Sequence, residues 1–216
     1  RRLAFEELLA HHLSLLRLRR QQQQHSAPGL SAKGQLLTRF LQQLPFALTG
    51  AQQRVWQEVS RDLSQPIPML RLVQGDVGSG KTVVAALCAL QAIESGYQAA
   101  VMAPTEILAE QHMLNFSSWF EPLGLQVAWL SGRIKGKKRR DTLEQIASGT
   151  AQVVIGTHAL FQDEVTFHCL GAIVVDEQHR FGVHQRLALR EKGREGLVPH
   201  QLIMTATPIP RTLTMS

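Results

Sequence analysis

Residues 75–82 read GDVGSGKT, in which Gly75, Gly80, Lys81 and Thr82 hold the spacing G-x-x-x-x-G-K-T with Gly78 inside it. Glycines at these positions let backbone N–H groups curl around phosphate oxygens with no Cβ in the way, and a helix that follows adds the positive end of its dipole. In such a loop Lys81 reaches the β and γ phosphates of a nucleotide, and the Thr82 hydroxyl coordinates Mg²⁺. The apolar run before the loop reads as a strand and the run VVAALC after it as a helix, the context this loop requires.

Gripping a triphosphate does not split it. Hydrolysis also needs a carboxylate for the metal and a group that orients or deprotonates water. The segment AIVVDEQH places Asp176 and Glu177 at the end of a hydrophobic run. Asp176 suits the metal and Glu177 the attacking water. A solvated turn after a strand is the structural alternative, but acids at the end of a buried strand must be desolvated or paired. In FALTGAQQ, Thr49 and Gln52 fit a capping box at a helix start, which is a sufficient structural explanation by itself.

The elements that must position these groups are visible as patterns. Six apolar runs, 69–75, 98–104, 125–131, 151–157, 171–177 and 200–206, read as buried strands. Helical stretches separate several of them, so the expectation is an α/β fold with a mostly parallel central sheet and flanking crossover helices. Ahead of it, Phe5, Leu8, Leu9, Leu13 and Leu16 form one stripe of an amphipathic helix, which runs into Gln21–Gln24 and then a loop rich in Ser, Pro and Gly. A second helix is expected over 31–44, with Leu36, Leu37, Phe40, Leu41 and Leu44 on one face and Pro45 ending it, and a third over 49–63. No internal repeat is present.

The chain has 216 residues, 44% of them hydrophobic, enough for one substantial core. No apolar run approaches the roughly 18 residues of a membrane span, and acidic residues stand near the amino terminus where a signal peptide would be apolar, so a cytoplasmic location and no membrane partner are expected. Cys88 and Cys169 read as reduced thiols in apolar surroundings. The net charge of +6 suits a polyanion such as nucleic acid without establishing one. Six of those cations fall in RIKGKKRR at 133–140, which opens a helix. Cations there oppose the helix dipole. A bound nucleic-acid phosphate would relieve this, and a solvated face would tolerate it.

The sequence resembles the superfamily 2 helicases. LTGAQ at 48–52, GDVGSGKT at 75–82, MAPTEILAEQH at 102–112, IGTHAL at 155–160, VVDEQHRFGVHQR at 174–186 and TATPIPRTL at 205–213 follow the order of motifs Q, I, Ia, Ib, II and III. Their wording is most similar to the RecG family of bacterial ATP-dependent DNA helicases, over the whole chain. The resemblance implies a first RecA-like, phosphate-loop NTPase domain over 46–216, preceded over 1–45 by linker helices leading to a wedge domain. It implies ATP and Mg²⁺ as cofactors, branched double-stranded DNA as substrate, and a bacterial cytoplasmic location. It adds Ser79 to the nucleotide loop and assigns Gln52 to the adenine edge with Phe46 lining the base. It places Thr105, Glu106, Gly156, Thr157 and His158 near the DNA backbone, where short hydroxyls and backbone amides at strand ends suit phosphate contact.

Thr205, Ala206 and Thr207 would couple hydrolysis to the DNA side, with His179 relaying, although His179 alone reads as an ordinary surface histidine. Pro104-Thr105 and Gly156-Thr157 alone read as helix starts. The resemblance also implies a second RecA-like domain whose motif VI arginines reach the γ phosphate. An arginine supplied in this way is worth roughly 10³ to 10⁵ in rate. The chain by itself is therefore expected to be nearly inactive, Arg211 being poorly placed to substitute. Rival readings are the motor of an Mfd-like transcription-repair coupling translocase, a nucleotide-gated switch with no motor stroke, and a small-molecule phosphotransferase. A switch has no use for motifs Ia, Ib and III, and nothing in the sequence points to the acceptor pocket that a phosphotransferase needs.

Overall fold

The computed structural model describes residues 25–31, 34–177, 192–193 and 196–206. The expected first helix, the glutamine run, His179, Thr207 and Arg211 lie outside the described residues. Within them the order is α1 (Gln35–Gln43), α2 (Gly50–Leu63), β1 (Leu70–Gln74), α3 (Lys81–Glu94), β2 (Gln98–Met102), α4 (Glu106–Phe120), β3 (Val127–Leu130), α5 (Gly136–Ala147), β4 (Val153–Gly156), β5 (Leu170–Asp176) and β6 (His200–Thr205). Single-turn helices at Glu121–Leu123 and His158–Phe161 complete it.

Every strand run expected from the sequence is a strand, and each pairing is parallel. The sheet order is β1-β6-β5-β2-β4-β3. The strands stop a residue or two inside the apolar runs. At β1 the cause is visible, because Gly75 already belongs to the turn that follows. The helix expected over 31–44 spans Gln35–Gln43. Gly34 precedes it at φ 81 with no capping side chain of its own, and the Glu94 carboxylate at the end of α3 accepts from Gln35 N–H at 2.5 Å and Leu36 N–H at 3.2 Å. Leu44 turns extended, as expected for a residue before proline.

Alternation along the strands builds one core on each sheet face. Ala99, Val101, Val153, Ile155, Ala172 and Val174 pack with α1, α2 and α3, while Ala100, Met102, Val154, Ile173 and Val175 pack toward Ile146, Leu160 and Phe161. Helix α3 is buried from Val83 to Ala92, which explains its unbroken apolar composition: it lies between the sheet and the outer helices. Beside it Phe40, Phe116, Phe120 and Trp119 meet edge to face or tilted, at centroid separations of 5.1 to 6.2 Å.

Buried polar side chains close the amino-terminal edge of the sheet. Gln98 donates to Ile146 O and Ala151 O and accepts from Cys169 N–H. His200, fully buried, accepts from Met69 N–H at Nδ1 and donates from Nε2 to Pro28 O at 2.7 Å, so its two partners fix the neutral ring with the proton on Nε2. The opposite, carboxyl-terminal edge is thereby left to the loops that carry the motif residues.

Candidate nucleotide and nucleic-acid site

Because all six strands run the same way, the segments after β1, β6, β5, β2, β4 and β3 emerge on one edge, where open α/β sheets take their ligands. The phosphate loop and the Asp176-Glu177 pair therefore share an edge, with only β6 between their strands. The loop leaves β1 with Gly75 N–H donating to Thr205 O at 3.2 Å. Gly80 sits at φ 79, and a Cβ there would lie 2.1 Å from Gln52 Nε2. A Cβ on Gly75 would lie 2.6 Å from Ser79 Oγ. Gly80 needs glycine for its left-handed conformation, and the missing Cβ at both positions leaves room for Gln52 and Ser79 to approach the loop. Lys81 opens α3, and its ammonium donates to Gly75 O at 2.5 Å and Asp76 O at 2.8 Å, so the lysine arches over the loop. Thr82 stands in the first turn of α3, a turn without acidic residues.

Gln52 forms the expected capping box: Thr49 Oγ1 accepts from Gln52 N–H, and Gln52 Oε1 accepts from Thr49 N–H at 2.8 Å. The remaining amide hydrogens do more, since Nε2 donates to Ser79 O at 3.0 Å and ties the cap to the phosphate loop. Phe46 is half exposed and lines a cavity of about 360 Å³ with Leu41, Leu48, Gln53 and Trp56. Gln52 is not among its lining residues; the amide side chains that line it with Phe46 are Gln53 and Gln57.

Asp176 ends β5, and its Oδ2 lies 2.8 Å from His112 Nε2. Glu177 adopts φ 50, uncommon for a side chain other than glycine, asparagine or aspartate. Its backbone N–H donates to Met204 O at 2.8 Å, and its carboxylate accepts from Thr205 Oγ1 at 3.1 Å and Ala206 N–H at 2.9 Å. The expected relay, His179, lies outside the described residues, and Thr205 and Ala206 both bond to Glu177. No group of three or more His, Cys, Asp or Glu side chains able to hold a metal occurs among the described residues. A divalent ion would be met here by the Thr82 hydroxyl, Asp176 and phosphate oxygens, a donor set that suits Mg²⁺ carried in with a nucleotide.

The other motif residues line the ends of β2 and β4, beyond β5. Thr105 Oγ1 caps α4 by accepting from Leu108 N–H at 3.3 Å, and Glu106 is paired with Arg133 at 2.5 Å. A Cβ on Gly156 would lie 2.1 Å from Leu130 O, so strand packing alone demands that glycine. Thr157 is buried and His158 exposed. In the basic run, Arg139 is engaged with Glu164 and Gln162, and Lys135, Lys137, Lys138 and Arg140 remain exposed.

Residues 49–216 match the family model described as DEAD/DEAH box helicase. The chain belongs to the DEAD/DEAH box helicase family. It is 64% identical over 216 residues to the ATP-dependent DNA helicase RecG of Pasteurella multocida, and 61% identical over 217 residues to that of Escherichia coli K12. Each comparison covers 100% of this chain and 31% of the relative, so the chain spans about a third of the length of these relatives. A solved structure of RecG bound to a three-way DNA junction aligns with TM-score 0.87 and 41% identity over 99% of this chain and 28% of that one. The yeast DEAD-box splicing factor Prp28 shares the fold at TM-score 0.61 and 18% identity, covering 83% of this chain and 45% of that one. The α/β helicase-domain fold expected from the sequence is thus shown. The Mfd-like alternative is not favoured. No helix among the described residues is long and apolar enough to cross a membrane.

His112 is the residue that sequence reading passed over. It lies inside the quoted motif Ia, but its partner Asp176 is 64 positions away.

Proposed function

We propose that this DEAD/DEAH helicase chain is the ATP-binding half of a DNA translocase that remodels branched DNA, with residues 1–45 as a linker and 46–216 as the first of two RecA-like domains. The observation that carries the reading is the shared carboxyl-terminal edge, where the Gly75–Thr82 loop and the Asp176-Glu177 pair flank β6. Similarity to RecG over the whole chain supports branched duplex DNA as the substrate and the bacterial cytoplasm as the location.

In this reading Gly75, Gly78, Ser79 and Gly80 offer backbone N–H groups to the phosphates, and Lys81 exchanges its loop carbonyls for phosphate oxygens. Phe46 flanks the base, and Gln52 holds the loop from the adenine side. Thr82 and Asp176 would hold Mg²⁺, which offsets phosphate charge when bound. Glu177 orients water and takes its proton. Thr205 and Ala206, bonded to Glu177, couple its state together with Thr207 to the DNA side, with His179 as the relay. Thr105, Glu106, Gly156, Thr157 and His158 form the track edge, where backbone amides and hydroxyls meet DNA phosphates without reading sequence.

ATP turnover of the complete protein, with and without a three-way DNA junction, tests this. Junction-stimulated hydrolysis that Lys81→Ala abolishes is expected. Turnover indifferent to DNA would overturn the motor reading, and full motor rates from the 216-residue chain alone would overturn its division into domains.

A further inference from the structure

We propose that His112 is a positioning residue for Asp176, fixing the carboxylate that would meet the nucleotide-borne cation; this rests on the reading of the site given above. The buried stripe of α4 is Ala109, His112, Phe116 and Phe120, so position 112 is a core position occupied by a polar ring. A buried polar group requires a partner. His112 is 6% exposed, and its Nε2 meets Asp176 Oδ2 at 2.8 Å. A carboxylate only accepts, so Nε2 carries the hydrogen. Nδ1 is buried with no hydrogen-bond partner among the described residues, which suits a bare lone pair, because an orphaned N–H there would leave a buried donor unsatisfied.

With Oδ2 held by a ring packed on the core, the Asp176 carboxylate loses its freedom to rotate and presents one fixed orientation, as metal-site carboxylates do when an outer partner holds them. The same helix begins at Thr105 and Glu106, about two turns or roughly 10 Å away. One rigid rod therefore joins the proposed track edge to the proposed cation site.

The test uses the complete protein with Mn²⁺ and ADP as probes. His112→Phe keeps the bulk and removes the donor, while His112→Gln returns an N–H near the Nε2 position. With ADP saturating, Mn²⁺ affinity read by electron paramagnetic resonance should fall about tenfold in His112→Phe and stay within about threefold of wild type in His112→Gln. ADP affinity in EDTA, read with a fluorescent analogue, should be unchanged in both. Wild-type Mn²⁺ affinity in His112→Phe, failure of His112→Gln to restore it, or a parallel loss of metal-free ADP binding would each overturn the inference. Should His112→Phe fail to fold, ¹⁵N spectra of the wild-type ring decide: the Nε2–H tautomer supports the proposal and the Nδ1–H tautomer overturns it. A wild-type protein that binds ADP with no metal dependence would instead overturn the reading of the site, and the inference with it.

Discussion

The backbone N–H of Ala206 donates to Glu177 Oε1 at 2.9 Å, which joins the residue after β6 to the residue after β5. The link is made with Glu177 at φ 50, a conformation that costs on the order of 1 kcal/mol and persists only where surrounding contacts hold it. Those contacts include Met204 O, Thr205 Oγ1 and Ala206 N–H.

Glu177→Gln preserves an acceptor for Ala206 and removes the base. ATP hydrolysis by the complete protein should fall by roughly 10² to 10⁴. Nucleotide affinity should stay within a few-fold of wild type. Single-turnover hydrolysis beside equilibrium nucleotide binding checks this, and parallel loss of both would mean that Glu177 serves loop structure alone.

Gln52 has two duties that one substitution separates. A capping box accepts Glu as well as Gln, but a carboxylate cannot donate to Ser79 O. Gln52→Glu should therefore keep thermal stability near wild type while weakening nucleotide affinity. Gln52→Ala should weaken both, with a stability loss of about 1 kcal/mol for the cap. Thermal unfolding with and without ADP distinguishes the pair.

His200 makes stability depend on pH. Burial, opposed by its bond to Pro28 O and the charge of Asp62, pushes the imidazole below its ordinary value. The unfolded chain then binds the extra proton first as pH falls. The stabilising contribution is full above about pH 6.5, the unfolded value, and is lost as pH drops through the lower folded value. Urea midpoints of wild type and His200→Gln should converge from pH 8 toward pH 5. A constant gap would contradict the assignment.

Burial pushes the Cys88 thiol up to about 12, so almost no thiolate forms near neutral pH. Cys169 is half-buried and also free. In the native chain no more than one thiol should react with a disulfide reagent, with the second appearing on denaturation. The slow native labelling of Cys88 would then report opening of the core around α3.

The strands were legible because a sheet covered on both faces demands unbroken apolar runs, and the phosphate loop because its spacing answers one geometric need. The strand order was not, because it depends on which helix crosses which face. That order sets β5 beside β2 and brings His112 onto Asp176, a contact between positions 64 apart that local pattern cannot report. Gln52 was half legible: the cap is local, whereas the reach to Ser79 needs α2 packed beside the loop. Arg139 was read as one cation in a run, and only the fold shows Glu164 and Gln162 holding it.

That last distinction makes the basic run testable. It follows β3, two strands from β2 in the sheet order, and Arg133 at its start pairs with Glu106, the neighbour of Thr105. Exposed lysines and arginines that neutralise phosphates each add about 0.9 to the slope of log affinity against log salt. Replacing Lys137, Lys138 and Arg140 by Ala in the complete protein should weaken duplex binding and lower that slope by roughly 2 to 3. Arg139→Ala should leave the slope unchanged, because its guanidinium is already engaged by Glu164, and should loosen the loop at 162–164 instead. A triple variant with the wild-type salt slope would assign the run to solvent.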